Sequence, residues 1–229
     1  MFNILLWQSK RRIIFGVLSL ILMLFWLPDG LTSRLWVGVG LGLACPLLVL
    51  GRRRTLNREV YATILSSLPR RRRWQLWGLT PSLFMITLWS LVIAQGSWRL
   101  GMIFFFWGVC CVSIADFFDK RLRRVSEAWI STTLCVLGLG GAPFWGALLF
   151  GRTAFSPWFA TLCIEAHPVY SGLRSVGRLA LQDPLLYEIT QSGLVEVHPL
   201  PWWFGSLCFG VLSMICWELT ARSNLREVT

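Results

Sequence analysis

Residues 100–115 read LGMIFFFWGVCCVSIA, sixteen positions without a charged side chain. As an α-helix such a run rises about 24 Å, short of the ~30 Å hydrocarbon core of a bilayer, so flanking Trp and Arg residues must complete the span. The whole chain has the same character: 55% of its 229 residues are hydrophobic, 14% are charged and the mean hydropathy is +0.60. A soluble domain carries charges on about a quarter of its residues. The composition therefore excludes a soluble enzyme and a disordered chain, and predicts a membrane protein.

Five further apolar blocks accompany this one. They span residues 13–28, 35–50, 79–94, 128–150 and 202–219. Many of the 14 tryptophans stand at block edges, where an indole ring meets apolar surroundings and its N–H meets water. The predicted fold class is therefore all-α: a polytopic membrane protein with six transmembrane helices, forming a single transmembrane domain over residues 1–229.

The basic residues predict the orientation of these helices. The chain has 22 Lys and Arg residues against 11 Asp and Glu, a net charge of +11. With a cytoplasmic N-terminus, seventeen of the basic residues fall in inside segments and five in outside segments. Cytoplasmic loops are enriched in Lys and Arg, so both termini are expected in the cytoplasm. The positive charge is then a partner for anionic membrane lipid and not for nucleic acid.

The predicted cytoplasmic loop, residues 51–78, contains an amphipathic pattern. Its apolar residues recur at helical spacing, namely Val60, Ile64, Leu65 and Leu68. Another face holds Arg58, Glu59 and Ser66. Two interpretations are open: a basic helix that anchors the loop to lipid, or a docking element for a cytoplasmic partner.

The predicted outer segment, residues 151–201, contains five prolines that divide it into short pieces. Structureless stretches of this length are unusual in compact domains. We expect the segment to pack on the outer mouth of the helix bundle.

Few residues suggest chemistry. The sequence contains no phosphate-binding loop, no Gly-x-Ser-x-Gly elbow and no His-Glu-x-x-His pair. Both histidines follow a carboxylate by two residues and precede a proline, in Glu165-Ala-His167-Pro168 and Glu196-Val-His198-Pro199. Two such pairs have the ligand types for Zn²⁺, but loop residues before prolines are the commoner interpretation. We therefore expect no enzymatic activity and no cofactor.

Three carboxylates, Asp116, Asp119 and Glu127, lie at the predicted inner ends of the fourth and fifth helices. Such groups can mark a proton path. Lys120 stands four residues after Asp116 and Arg123 four residues after Asp119, so a salt-bridged cytoplasmic bend is the favoured interpretation.

The order of these parts resembles the permease subunits of ABC-type transporters of the type-2 export class. In that family an acidic-start helix, ending in a Leu/Thr/Pro stretch and a basic residue, lies between the second and third helices. Residues 59–70, EVYATILSSLPR, look like that element. The resemblance implies a separate ATPase subunit, a homo- or heterodimer of permeases, and a cell membrane location, bacterial inner membrane among them. It implies docking by Arg58, Glu59, Thr63, Leu65, Pro69 and Arg70.

This sequence also departs from the family pattern. The Gly-Thr that precedes the leucines in the family is missing, and Arg70 to Arg73 replace a milder segment. These departures fit a second hypothesis, in which the chain is a membrane scaffold or assembly factor that transports nothing.

Overall fold

The computed structural model describes residues 30–44, 79–122, 124–142, 162–177 and 200–226. Within these ranges the secondary structure is helical and contains no strand, which confirms the all-α class for this part of the chain. The predicted block at 13–28 and the loop at 51–78 lie outside it. The helices are α1 (Leu31–Ala44), α2 (Leu79–Ala94), α3 (Trp98–Arg121), α4 (Val125–Gly140), α5 (Pro168–Ser175) and α6 (Phe204–Arg226).

A tight turn joins α2 to α3. Gln95 and Gly96 adopt φ angles of 44° and 89°, in the left-handed region that glycine tolerates best. The Ser97 N–H then donates to the Ala94 carbonyl over 3.0 Å. This turn reverses the chain within three residues, so α2 and α3 pack antiparallel, with Ile86 against Gly108 near the middle of α3.

Helix α3 lies at the centre of the bundle. Helix α1 runs parallel to it, since Gly38 contacts Phe104 and Gly42 contacts Trp107. Helix α6 is also parallel, because the Trp202 ring just before it lies 5.3 Å from the Trp98 ring at the start of α3, and the Phe209 ring lies 5.0 Å from the Trp107 ring further along.

Helix α4 follows α3 after a short link and returns beside it. Its last residue, Gly140, lies next to Val39 of α1. The helices α1, α2, α3, α4 and α6 therefore alternate in direction along the chain.

One helix in the described ranges, α3, is long and apolar enough to cross a membrane by length and composition. Helix α3 continues past the predicted block at 100–115 to Arg121, through turns that carry charged side chains. The Lys120 ammonium lies 2.8 Å from the Asp116 carboxylate, so this i,i+4 prediction is confirmed. Shorter apolar helical stretches are Met85–Ala94 and Phe204–Thr220.

Residues 162–177, which we call the α5 plug, fill one end of the bundle. Gly172 packs against Leu35 of α1 and Leu100 of α3, and the start of α6 approaches Ser171 through Gly205. This is the end at which α1, α3 and α6 begin. The sequence predicted only that Pro168 interrupts the segment. In the structure Pro168 is the first residue of α5, because the fixed φ of proline suits the first turn of a helix.

Candidate functional site

The residues predicted to dock an ATPase subunit are Arg58, Glu59, Thr63, Leu65, Pro69 and Arg70. All of them lie outside the described residues, so their docking role stays a prediction. In the described part of the chain, the densest arrangement of polar side chains lies in the α5 plug.

His167 is the centre of the plug and is fully buried. Its Nδ1 accepts a hydrogen bond from the Val169 N–H over 3.3 Å and so caps the start of α5. An accepting Nδ1 carries no proton, so Nε2 holds the ring proton and donates it to the Gly140 carbonyl over 2.7 Å. Both nitrogens of a neutral imidazole are therefore engaged, and the side chain ties α5 to the end of α4.

Burial lowers the pKa of His167 from 6.5 to about 4, although the hydrogen bond to Gly140 opposes the shift. Between these two values the unfolded chain binds a proton that the folded chain does not. The stabilisation that neutral His167 provides is thus complete above pH 6.5 and is lost as the pH falls towards 4.

We expect His167→Gln to flatten this pH dependence. A glutamine side chain has one acceptor and one donor group but does not titrate. The midpoint of thermal unfolding, measured in detergent from pH 7 to pH 4, should fall more for the wild type than for the variant. Glu165 titrates nearby with the opposite sign, but it is present in both proteins and cancels in the comparison. Parallel curves for the two proteins would contradict the assigned role of His167.

Glu165 forms the second contact of the plug. Its carboxylate accepts a hydrogen bond from the Arg174 guanidinium over 2.7 Å, and both side chains are largely enclosed. Burial raises the pKa of Glu165, and the hydrogen bond and charge of Arg174 lower it in part. The Ser171 hydroxyl also donates to the Glu165 carbonyl. These bonds fasten the first helical turn of the plug, residues 162–165, to α5.

Aromatic rings complete the plug. The Trp36 ring of α1 lies 5.3 Å from the His167 ring and 6.5 Å from the Tyr170 ring. At the rim, the Arg99 guanidinium lies over the Trp98 and Trp202 rings. It also makes a long hydrogen bond of 3.4 Å to the Ser175 carbonyl. The plug is thus held by α1, α3, α4 and α6 together.

The zinc interpretation gains nothing from these contacts. His167 has no free ring nitrogen, and the Glu165 carboxylate is bonded to Arg174. Across the described ranges no three His, Cys, Asp or Glu side chains are grouped as metal ligands. Glu196 and His198 lie outside those ranges. The described pair, Glu165 and His167, holds the fold together through these hydrogen bonds.

Helix α6 shows an unusual distribution of side chains. Its buried positions include Ser206, Ser213 and Thr220, as well as Phe209 and Cys216. The hydroxyls of Ser213 and Thr220 donate to carbonyls one turn earlier. All but one of its exposed positions up to Thr220 carry large apolar side chains, namely Leu207, Val211, Met214, Ile215 and Leu219. The exception, Glu218, lies towards the C-terminal end of the helix. A helix on the surface of a water-soluble protein has the reverse arrangement.

Helix α4 repeats this arrangement. Ala128, Thr132 and Gly140 are buried, and the Thr132 hydroxyl donates to the Ala128 carbonyl. Its exposed large hydrophobic residues are Trp129, Ile130, Leu134 and Leu137. Both helices therefore bury mainly small or hydroxyl side chains, with Phe209 and Val136 as larger exceptions, and expose large apolar side chains.

Sequence patterns alone missed Trp36, Tyr170 and Arg174 as members of the plug. Arg174 is nine residues from Glu165 and reaches it only because the chain turns at His167. One local signal was present: a polar residue directly before a proline is typical of a helix start, and His167-Pro168 is such a pair.

Neither a protein-family model, nor a curated protein, nor a solved structure matches this chain.

Proposed function

We propose that this chain is a multi-pass membrane protein that serves as the permease subunit of an ATP-driven exporter. The observation that carries the membrane assignment is the outward apolar face of α4 and α6. Burial of large apolar side chains gives no advantage in lipid, so helices there associate through small and hydroxyl residues and leave the large ones to the acyl chains. In water, apolar patches of this extent mark interaction surfaces or aggregation sites.

The topology of the bundle supports the six-span arrangement. A chain that crosses a bilayer repeatedly must reverse direction at each crossing, and α1, α2, α3, α4 and α6 alternate in this way. Helix contacts through glycine are also typical of membrane bundles. Gly38, Gly42 and Gly108 all face side chains of a neighbouring helix at such close contacts.

The transport role rests on the order of the helices and on residues 59–70, which resemble the docking helix of type-2 export permeases. In this proposal Arg58, Glu59, Thr63, Leu65, Pro69 and Arg70 meet a separate ATPase subunit in the cytoplasm. The docking helix would pass the movement of the ATPase to the helices on either side of it, including α1 and α2. Both termini are then cytoplasmic and the α5 plug faces outward.

In the exporter, the α5 plug would act as the outer gate. It closes the end of the bundle that the orientation places outside, and its bonds join α5 to α4 through His167 and to α3 through Arg99. Export through the bundle requires these bonds to rearrange. A scaffold that transports nothing is the alternative function, and the missing Gly-Thr motif favours it.

Retention of an ATPase separates the two functions. We expect the tagged chain, purified from its native membrane in mild detergent, to bring down an ATPase subunit in stoichiometric amount. Glu59→Lys should reduce the amount of ATPase recovered at least ten-fold. The membrane abundance of the variant should stay unchanged, because substitutions on a solvent face change stability by only about ±0.5 kcal/mol. Immunoblotting of membranes and eluates measures both quantities.

The matched control is Glu127→Lys. Glu127 is exposed, lies at the end of the bundle opposite the plug and has a loose 3.7 Å contact with Arg124. The Glu127→Lys variant reverses the same charge outside the docking helix and should retain the ATPase. A wild-type eluate without any ATPase would favour the scaffold.

A further inference from the structure

A small cavity lies where α1, α2 and α3 meet, and its volume is about 10 Å³. Three glycines form part of its wall, Gly38 and Gly42 from α1 and Gly108 from α3. Side chains of neighbouring helices pack directly against these glycines, namely Phe104, Trp107 and Ile86. A cavity of this size has room for about one water molecule.

Trp89 contributes a hydrogen-bond donor to the wall of the cavity. The side chain lines its wall, is only 5% exposed, and belongs to the buried core. Its indole Nε1–H has no hydrogen-bond acceptor within the described part of the chain. Buried polar groups in folded proteins nearly always have a partner, from the protein or from ordered water.

Two further polar atoms belong to residues of the same wall. The Ser90 hydroxyl donates to the Thr87 carbonyl, which leaves its oxygen able to accept. The Trp107 Nε1–H makes a hydrogen bond of 3.4 Å to the Val39 carbonyl, beyond the usual range for N–H···O. An ordered water needs two to four polar partners, and these residues provide them.

We propose that this cavity binds one ordered water molecule, which accepts the hydrogen bond of Trp89 Nε1–H. The water donates to the Ser90 hydroxyl oxygen and lies beside Trp107. It satisfies a donor that three close-packed helices otherwise enclose. This site is independent of the ATPase and of the direction of transport.

NMR of the full-length protein in lipid nanodiscs tests the site. The protein is deuterated, labelled with ¹⁵N at its 14 tryptophans and returned to protonated water. Trp89→Phe identifies the Trp89 indole signal by its disappearance, and Trp89→Tyr serves the same purpose if the first variant does not fold. We expect a cross peak between the Trp89 Nε1 proton and the water resonance. Its absence overturns the proposal, provided that the exposed Trp98 indole shows a cross peak.

The Ser90 hydroxyl proton itself exchanges with water and can give a false signal, and Gly108→Ala is the control for it. The variant keeps Trp89 and Ser90 but adds a methyl group beside Ile86, another residue of the wall, and so reduces the space for a water. A cross peak that is lost in Gly108→Ala comes from a bound water and supports the site. A cross peak that persists comes from the Ser90 hydroxyl and overturns it.

Discussion

Met214→Arg should remove most of the protein from the membrane. Met214 lies near the middle of α6 and is 69% exposed, the largest exposed fraction among the large hydrophobic side chains of the described residues. If the outer face of α6 lies against lipid, an arginine near the centre of this helix costs about 2.5–3.5 kcal/mol of insertion free energy. If the face lies in water, the same change alters stability by about ±0.5 kcal/mol. Membrane abundance, measured by immunoblot of fractionated cells, distinguishes the two environments.

Leu219→Arg is the matched control on the same helix. Leu219 is also exposed, at 41%, but it lies closer to the C-terminal end at Arg226. From there an arginine side chain can extend to the headgroup region and keep its charge hydrated. The loss of protein should therefore be smaller than for Met214→Arg. Normal abundance of both variants would contradict the lipid-facing assignment of α6.

The helices could be predicted from the sequence because their signal is local. The block at 100–115 contains no charge, and the structure places it inside α3. The ends were less predictable, since Asp116 and Lys120 pair along the helix and let it continue past the apolar block. A hydropathy pattern marks where apolar residues stop, whereas a helix ends where its backbone hydrogen bonds stop.

The arrangement of the plug could not be predicted in the same way. His167 bonds to Gly140, which is 27 residues earlier, and Arg99 bonds to Ser175, which is 76 residues later. No spacing rule relates these positions, because the contacts form only once α4, α5 and α3 have packed. The sequence singled out Glu165 and His167 for their chemistry, and the structure gives both of them partners that hold the fold.

The two faces of α6 could be predicted from the sequence only in part. Ser206, Ser213 and Thr220 recur at helical spacing, and so do the large apolar residues on the other side. Which set faces the protein depends on the surroundings, because water favours one choice and lipid the other. A periodic pattern therefore predicts that a helix has two faces but not which of them is buried.

Gly38→Ala should weaken the packing of α1 on α3. A Cβ atom at this position would clash with Cε1 of the Phe104 ring and lie 2.8 Å from its Cδ1. Phe104 is itself buried, so its ring has little room to move. Overpacking of this kind costs about 1–3 kcal/mol. Gly42→Ala should act in the same direction, because its Cβ would lie 2.6 Å from Nε1 of Trp107.

Gly40→Ala makes the same chemical change at a position where a Cβ would meet no atom within 4 Å. It lies between the other two glycines on α1, so it shares their depth and helix environment. An alanine within a helix is about 1 kcal/mol more favourable than a glycine. Gly40→Ala should therefore leave the midpoint of thermal unfolding in detergent unchanged or raise it, while Gly38→Ala lowers it. If all three variants unfold at the same temperature, α1 does not pack on α3 through its glycines.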